Sequence, residues 1–141
     1  MRLTIRVENA KLVRQGLHNL RLKIPLIGRQ RMYDIARKIV KRMQRYPPPP
    51  VGSRYKRTFR LKRSWKIRRA GKTGYMIMSD ARDKRGRRYT RYVVGDARGA
   101  GQAWMHVGRW QVFRDVVEEE FAKAPKAIQR SIAMIKRAEG F

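Results

Sequence analysis

The first 25 residues change from a strand-like to a helical pattern of apolar positions. Apolar residues alternate with Arg and Thr over residues 3–7, the period-two pattern of a half-buried strand. Over residues 12–20 they recur every three or four positions, which predicts a helix capped by Asn9. Because proline disrupts a helix interior, Pro25 is expected to end this helix or to begin another.

The clearest helical pattern runs from Pro25 to Tyr46, with an apolar stripe at i, i+3, i+4 spacing and basic residues on the other faces. Such a helix could lie on an anionic membrane, but burial of the stripe against a sheet is the favoured interpretation. Pro47 to Pro50 follow, so the helix is expected to end near Tyr46 and residues 46–53 to form a rigid, proline-rich connector. A polyproline ligand for an SH3-type domain is the alternative interpretation of this run.

Residues 55–95 carry the patterns of a basic antiparallel hairpin region. The predicted elements are a strand over part of 59–67, or instead a helical turn within 55–64 with the strand beginning at Trp65. A turn over 70–74, a strand over 75–79, a turn over 83–86 and a third strand over 89–95 are predicted to follow. Basic residues alternate with aromatic ones, so Phe59, Trp65 and Tyr75 are expected to point into the core. We therefore predict a basic hairpin at 65–95 whose tip carries further arginines.

The last third predicts two more helices after a Gly-rich loop at 96–101. An amphipathic helix is predicted from Trp104 onward, Pro125 interrupts it, and a final apolar stripe runs to Gly140. The order of strand, helices, strands and helices predicts an α+β fold, with an antiparallel β-sheet packed against amphipathic helices. We expect one domain covering residues 1–141.

The charge of the chain is extreme for its length. Its 141 residues carry 37 Lys and Arg against 10 Asp and Glu, a formal net charge of +27. The excess is +11 over residues 1–53, +14 over 54–91 and +2 over 92–141. Self-repulsion of this size disfavours a compact state unless a polyanion neutralises it, and nucleic acid is the favoured polyanion. A merely solvated basic face is the alternative.

The basic middle of the chain supplies the candidate contacts to nucleic acid. Cations there can contact phosphates without base-edge readout, which predicts binding that is indifferent to base sequence and strongly weakened by salt. The candidate residues are Arg60, Lys62, Lys66, Arg68, Arg82, Lys84, Arg85, Arg87 and Arg88.

Residues for catalysis and cofactor binding are sparse. The chain has no Cys and two distant His, so no metal or other cofactor is expected, and the Gly-rich stretches lack a phosphate-loop or dinucleotide fingerprint. His106 has no obvious Ser or Asp partner, so a packing role is favoured over that of a general base. No transmembrane helix is expected, because no 18-residue apolar run occurs. The chain is therefore expected not to be an enzyme.

The acidic residues of the chain cluster in its last third. Consecutive positions fan around a helix and do not converge as an acid/base pair, so a solvated or oligomer-facing patch is predicted. The candidate interface residues are Asp115, Glu118, Glu119 and Glu120.

Two alternative functions fit the same composition. The first is a sequence-nonspecific nucleic-acid-binding protein, ribosome-associated or genome-packaging. The second is a RelE-type ribonuclease toxin, a class that cleaves RNA with Lys, Arg, Tyr and His on a basic sheet. Residues 61–68 are faintly similar to the sheet strand of those toxins, but the long last third has no counterpart in them.

The order of several segments resembles a known family. A basic helix runs into the proline-rich break at 46–53, and residues 57–65, 89–95 and 102–110 follow in order. This order resembles the tail-completion or head-tail joining (neck) proteins of long-tailed bacteriophages, over roughly residues 9–125. That family carries a Pro-x-x-Thr-Gly-x-Leu-x-x-Ser-like segment followed by Tyr-Ala-x-x-Val-x-x-Gly. Here Phe59 stands at its usual glycine and Thr90 at its usual alanine.

The resemblance implies a structural role in a virus particle. Members of this family are non-enzymatic virion components that assemble as a ring, commonly a hexamer, between the portal or connector and the tail. The expected partners are therefore further copies of the chain, portal and tail proteins, and DNA contacted through its backbone. The expected location is the virion, and the host cytoplasm during assembly.

Overall fold

The computed structural model describes residues 10–54, 58–72, 74–96 and 100–140. The predicted strand over residues 3–7 and the cap at Asn9 lie outside these residues. The elements in order are α1 (Ala10–Met43), α2 (Arg60–Ser64), β1 (Trp65–Ala70), β2 (Gly74–Ser79), α3 (Thr90–Val94), a 3-10 turn (Trp104–His106), α4 (Phe113–Ala122) and α5 (Ala124–Ala138). The α+β class is confirmed, with a sheet of only two strands among the described residues.

Helix α1 continues through Pro25, so the predicted break at this residue is wrong. A proline in a helix interior costs about 3 kcal/mol relative to alanine. Contacts with the C-terminal helix and its cap hold α1 on both sides of Pro25. Asn19 Nδ2 donates to Glu139 Oε2 at 3.1 Å, and Arg31 Nε donates to Ser131 Oγ at 2.9 Å. Tertiary packing therefore outweighs the local preference. The predicted helix end before the proline run is confirmed, because α1 ends at Met43.

The two strands form one antiparallel hairpin that packs on α1. Its register runs from Trp65 opposite Ser79 to Ala70 opposite Gly74. Of the two alternatives for the segment before Trp65, the helical turn is confirmed as α2, with the strand beginning at Trp65 as β1. On the side of α1, the Tyr75 ring lies 5.3 Å from that of Tyr33.

The predicted third strand over 89–95 is wrong, because residues 90–94 form α3. Among the described residues after β2, one further bridge forms, between Arg82 and Arg88. Val93 and Val94 are then both buried, and adjacent residues of a strand would point to opposite faces. A helical turn brings both side chains to the core, so the hairpin region contains two strands and not three.

The core lies between α1, the hairpin and α4. Ile35, Ile39 and Met43 of α1 meet the other buried side chains there. Trp65 is buried as predicted and stacks on Phe113, with ring centroids 5.5 Å apart. The core holds the hairpin against α1, so the outer face of the hairpin points away from the protein.

Phe59 does not point into the core, contrary to the prediction. It precedes α2 instead of lying in a strand, and its side chain is 47% exposed. Its φ of 54° lies in the left-handed region, where a residue with a side chain is destabilised by about 1–2 kcal/mol. It is the one residue other than glycine with a positive φ in the part of the chain that the structure describes.

The first of the two C-terminal helices begins later than predicted. Trp104 lies in a 3-10 turn and is exposed, and Gly108, with a φ of 70°, follows before α4 begins at Phe113. The interruption at Pro125 is confirmed, because α4 ends at Ala122 and Pro125 lies in the first turn of α5. Proline is tolerated there, since its missing amide has no helical partner at that position.

The N-terminal half of α1 exposes an unusual number of apolar side chains. They point to two opposite sides of the helix, which turns by about 100° per residue. One side carries Val13, Leu17 and Ile24, and the other carries Leu12, Leu22 and Leu26. We call Val13, Leu17 and Ile24 the α1 apolar face.

Candidate nucleic-acid interface

The outer face of the hairpin presents two of the predicted cations. Lys66 and Arg68 are exposed on β1, and side chains alternate along a strand, so they lie opposite the face that carries Trp65 and Ile67. Their cross-strand neighbours are Met78 and Met76. The predicted alternation of basic and core positions along β1 is therefore present.

Arg60 and Lys62 are exposed, but they lie on α2 and not on a strand. Residues two positions apart in a helix point about 200° apart around its axis, so these two side chains do not share a face. Leu61 and Ser64 point inward from the same turn. The regular spacing of cations over 60–68 thus spans a change of secondary structure.

Asp83 shapes the second basic turn. Its Oδ1 accepts the backbone N–H groups of Arg85 and Arg87 at 2.8 and 2.9 Å, and its Oδ2 accepts Arg87 Nε at 3.0 Å. Hydrogen bonding from the Arg87 backbone, followed by that from its side chain, lowers the pKa of Asp83. The five predicted cations of this turn are all exposed: Arg82, Lys84, Arg85, Arg87 and Arg88.

Asp83→Ala is expected to loosen this turn, because it removes all three acceptor contacts. We expect hydrogen exchange of the Arg85 and Arg87 amides to become about tenfold faster, measured by NMR. Asp83→Asn keeps Oδ1 and serves as the control. Since the folded pKa is lowered, the same protection is present above the unfolded pKa and is lost as the pH falls through the folded value. Unchanged exchange in Asp83→Ala would contradict this role.

Internal ion pairs use most of the described carboxylates and leave most cations unpaired. Lys66 Nζ pairs with Asp80 at 2.5 Å, and hydrogen bonding from Lys66 lowers the pKa of Asp80. Among the described residues, the cations in ion pairs are Lys23, Arg31, Arg42, Lys66, Arg87, Arg114 and Lys123. Seven predicted contacts therefore have no ion-pair partner in the described part of the chain: Arg60, Lys62, Arg68, Arg82, Lys84, Arg85 and Arg88.

A second basic surface on α1 is absent from the sequence-based set of candidates. A shallow groove of about 760 Å³ is lined by Arg37, Lys38 and Lys41, and the Arg37 guanidinium lies 6.0 Å from the centre of the Tyr33 ring. Ile67 of β1 and Ala127 of α5 flank it. These cations were identified only as the polar face of a helix, because the groove exists only once the hairpin and α5 pack on α1.

The acidic segment is partly internal, which corrects the prediction of an oligomer-facing patch for Glu120. Glu120 is 7% exposed, and its Oε1 accepts Arg42 Nη1 at 2.9 Å and Lys123 Nζ at 3.1 Å. Glu119 binds the same Arg42 at 2.7 Å. A neighbouring subunit can therefore reach Asp115 and Glu118, which are exposed, more readily than Glu120.

The electrostatics of Glu120 reflect this pairing. Desolvation by burial raises its pKa, but the hydrogen bonds from Arg42 and Lys123 outweigh burial, so its pKa lies below the ordinary value. Hydrogen bonding to Glu119, followed by that to Glu120, raises the pKa of Arg42. The carboxylate is held ionised as part of the fold.

Two further observations on the described residues concern metal ions and membranes. Within residues 10–54, 58–72, 74–96 and 100–140, no group of three His, Cys, Asp or Glu side chains is placed to hold a metal ion. Over the same ranges, no helix combines the length and the apolar character that crossing a bilayer requires.

Comparison with known proteins gives no relatives. No protein-family model matches the chain, and neither curated proteins nor solved structures show a match. Function is therefore inferred from the residues of this chain and from their positions.

Proposed function

We propose that this chain is a non-enzymatic structural protein of the head-tail junction of a virus particle, a tail-completion or neck protein whose basic surface contacts nucleic-acid phosphates. The observation that carries the proposal is the surplus of exposed cations without ion-pair partners on α2, β1 and the Asp83 turn. Each uncompensated charge adds to a positive field, which a polyanion would neutralise. Duplex DNA is a polyanion with a high density of phosphate charge.

The order of the motifs supports the head-tail location. The basic helix, the proline run, the segment leading into Trp65 and the segments at 89–95 and 102–110 follow the order of the neck-protein family. The proposed partners are portal or connector and tail proteins, in the host cytoplasm during assembly and then in the virion.

The α1 apolar face supports self-assembly. Isolated apolar residues are common on protein surfaces, but several on one half-helix are typical of an interaction site. In a ring, this face would pack on a second copy of the chain. The like charge of the subunits opposes that contact, so DNA in the same assembly would favour it.

Polar substitutions on the α1 apolar face are expected to prevent self-assembly. Val13 and Leu17 are 40% and 54% exposed, so Val13→Gln with Leu17→Gln leaves the core unchanged. We expect the wild type to form a discrete oligomer in the presence of DNA, measured by mass photometry, and the double variant to remain monomeric. Val51→Gln, an apolar exposed residue of the connector, is the control.

The outcome separates the proposed function from its alternatives. A wild type that binds DNA but stays monomeric at every concentration would contradict a ring protein and favour a free nucleic-acid-binding protein. Cleavage of RNA that His106→Ala abolishes would favour the ribonuclease. Cryo-electron microscopy of the wild-type assembly would then give the number of subunits.

A further inference from the structure

An aromatic cavity of about 420 Å³ opens between the proline connector, α2 and the 3-10 turn. Its walls include Tyr46, Phe59 and Trp110. The Tyr46 ring meets both neighbours edge to face, with centroids 5.2 Å from Phe59 and 4.7 Å from Trp110. The volume is within the range of cavities that bind small organic ligands.

Phe59 is placed in this wall by a strained backbone. With its φ of 54°, it adopts a conformation that favours glycine, and its ring is half exposed beside Tyr46. Burial in a core does not explain the strain, because the side chain is not buried. Strained residues of this kind cluster at ligand sites, where the surrounding structure holds them in place.

His106, which lines the same cavity, has an unsatisfied polar atom. Its Nδ1 is buried and has no hydrogen-bond partner among the described residues. Burial lowers the pKa of the imidazole, and the charge of Arg109 lowers it further, so the ring is neutral at pH 7. A buried polar atom without a partner is unusual in a folded protein, and a ligand with a polar edge would satisfy it.

Arg109 is the charged residue of the described cavity lining. Its Nη2 donates to the Pro48 carbonyl oxygen at 3.1 Å, which fixes the guanidinium beside the connector. No acidic residue is among the described residues of the lining. Outside the cavity, Arg60 follows Phe59 directly and is exposed.

We propose that this cavity binds an unpaired base of a nucleic-acid strand, stacked against Phe59 and Trp110, with the attached phosphate held by Arg109. This inference rests on the proposed contact with nucleic acid and adds the class of ligand that the cavity takes. Flat aromatic walls suit the faces of a base, and base edges carry the donors and acceptors that the Nδ1 atom lacks. The charge of Arg109 favours a base with its phosphate over an apolar peptide.

The test compares a strand with bases and an abasic strand that have the same number of phosphates, with a duplex as the third probe. A 12-nucleotide single strand, a 12-unit abasic strand and a 12-base-pair duplex are titrated with the full chain at 50 mM salt, by fluorescence anisotropy. We expect the wild type to bind the strand with bases about 5- to 100-fold more tightly than the abasic strand, the contribution of one or two stacked bases.

Phe59→Gly removes one wall without adding strain, since glycine adopts this backbone conformation readily. We expect it to lower affinity for the strand with bases about tenfold, while affinities for the abasic strand and the duplex stay unchanged. Its thermal midpoint should equal or exceed that of the wild type. Trp104→Ala removes an aromatic ring that is 84% exposed and does not line the cavity, and it is expected to change none of the three affinities.

Failure of this inference differs from failure of the proposed function. Equal wild-type affinities for the base-containing and abasic strands, with tight duplex binding, would overturn the base site and leave phosphate contact intact. No binding of any of the three probes would overturn the proposed function as well. Displacement of a bound strand by a short acidic peptide with a central Phe, together with no preference for bases, would assign the cavity to a protein partner instead.

Discussion

Raising the salt concentration from 50 to 200 mM is expected to weaken duplex binding about 10³- to 10⁴-fold. Seven predicted cations have no ion-pair partner among the described residues, and each phosphate that they neutralise contributes about −0.9 to the slope of log affinity against log salt. Because Arg60 and Lys62 do not share a face, six of these cations can contact one duplex, and the expected slope is about −5. Fluorescence anisotropy with several unrelated duplexes measures the slope and also tests the expected indifference to base sequence.

Two triple variants that lose the same amount of charge locate this contact. Arg82→Ala, Arg85→Ala and Arg88→Ala in one chain are expected to make the slope shallower by about 3. The control removes three exposed cations of α5, with Lys126→Ala, Arg130→Ala and Lys136→Ala. The same loss of slope in both triple variants would mean that binding depends on net charge alone, which contradicts an interface on the Asp83 turn.

Arg42→Ala is expected to destabilise the protein by about 2 kcal/mol, a large part of the stability of a small domain. The change leaves Glu120 buried with only Lys123 as its cation. Removing one partner of a fully buried pair costs about 3–5 kcal/mol, and the value here is lower because Arg42 is partly exposed. Arg45→Ala, an exposed cation after the same helix, is the control and is expected to have almost no effect.

The stabilisation by Arg42 and Glu120 is also expected to depend on pH. Because the pKa of Glu120 is lowered in the folded state, its stabilisation is present above the unfolded pKa and disappears as the pH falls through the folded value. Urea denaturation at pH 7 and pH 3 should therefore show a difference between wild type and Arg42→Ala that shrinks in acid. A difference of the same size at both pH values would contradict a charged Glu120 as the cause.

The sequence pattern predicts an element correctly where tertiary contacts favour the same structure as the local residues. The apolar stripe of α1, the helix end before Pro47 and the strand from Trp65 follow from spacing and from the chemistry of proline. The third strand and the break at Pro25 are wrong because distant contacts decide them. Val93 and Val94 pack into the core together, and the C-terminal helix holds α1 on both sides of the proline.

The candidate site, too, could be predicted from the sequence only in part. Exposed cations can be recognised in a sequence because lysine and arginine are seldom buried. The aromatic cavity could not be predicted, since His106 and Phe59 are far apart in the chain and neither the left-handed backbone of Phe59 nor the orphan nitrogen of His106 has a sequence signature. Burial of Glu120 was missed because three consecutive glutamates resemble a solvated face.

The contacts of the C-terminal helix on either side of Pro25 have a consequence for the order of folding. The side chain of Asn19 meets that of Glu139, 120 positions away, so the front of α1 gains its support only after nearly the whole chain has left the ribosome. Closing a loop of this length is entropically unfavourable and slow. During synthesis, the buried Leu20 in this half of α1 therefore lacks that support, and chaperones would have access to it throughout that interval.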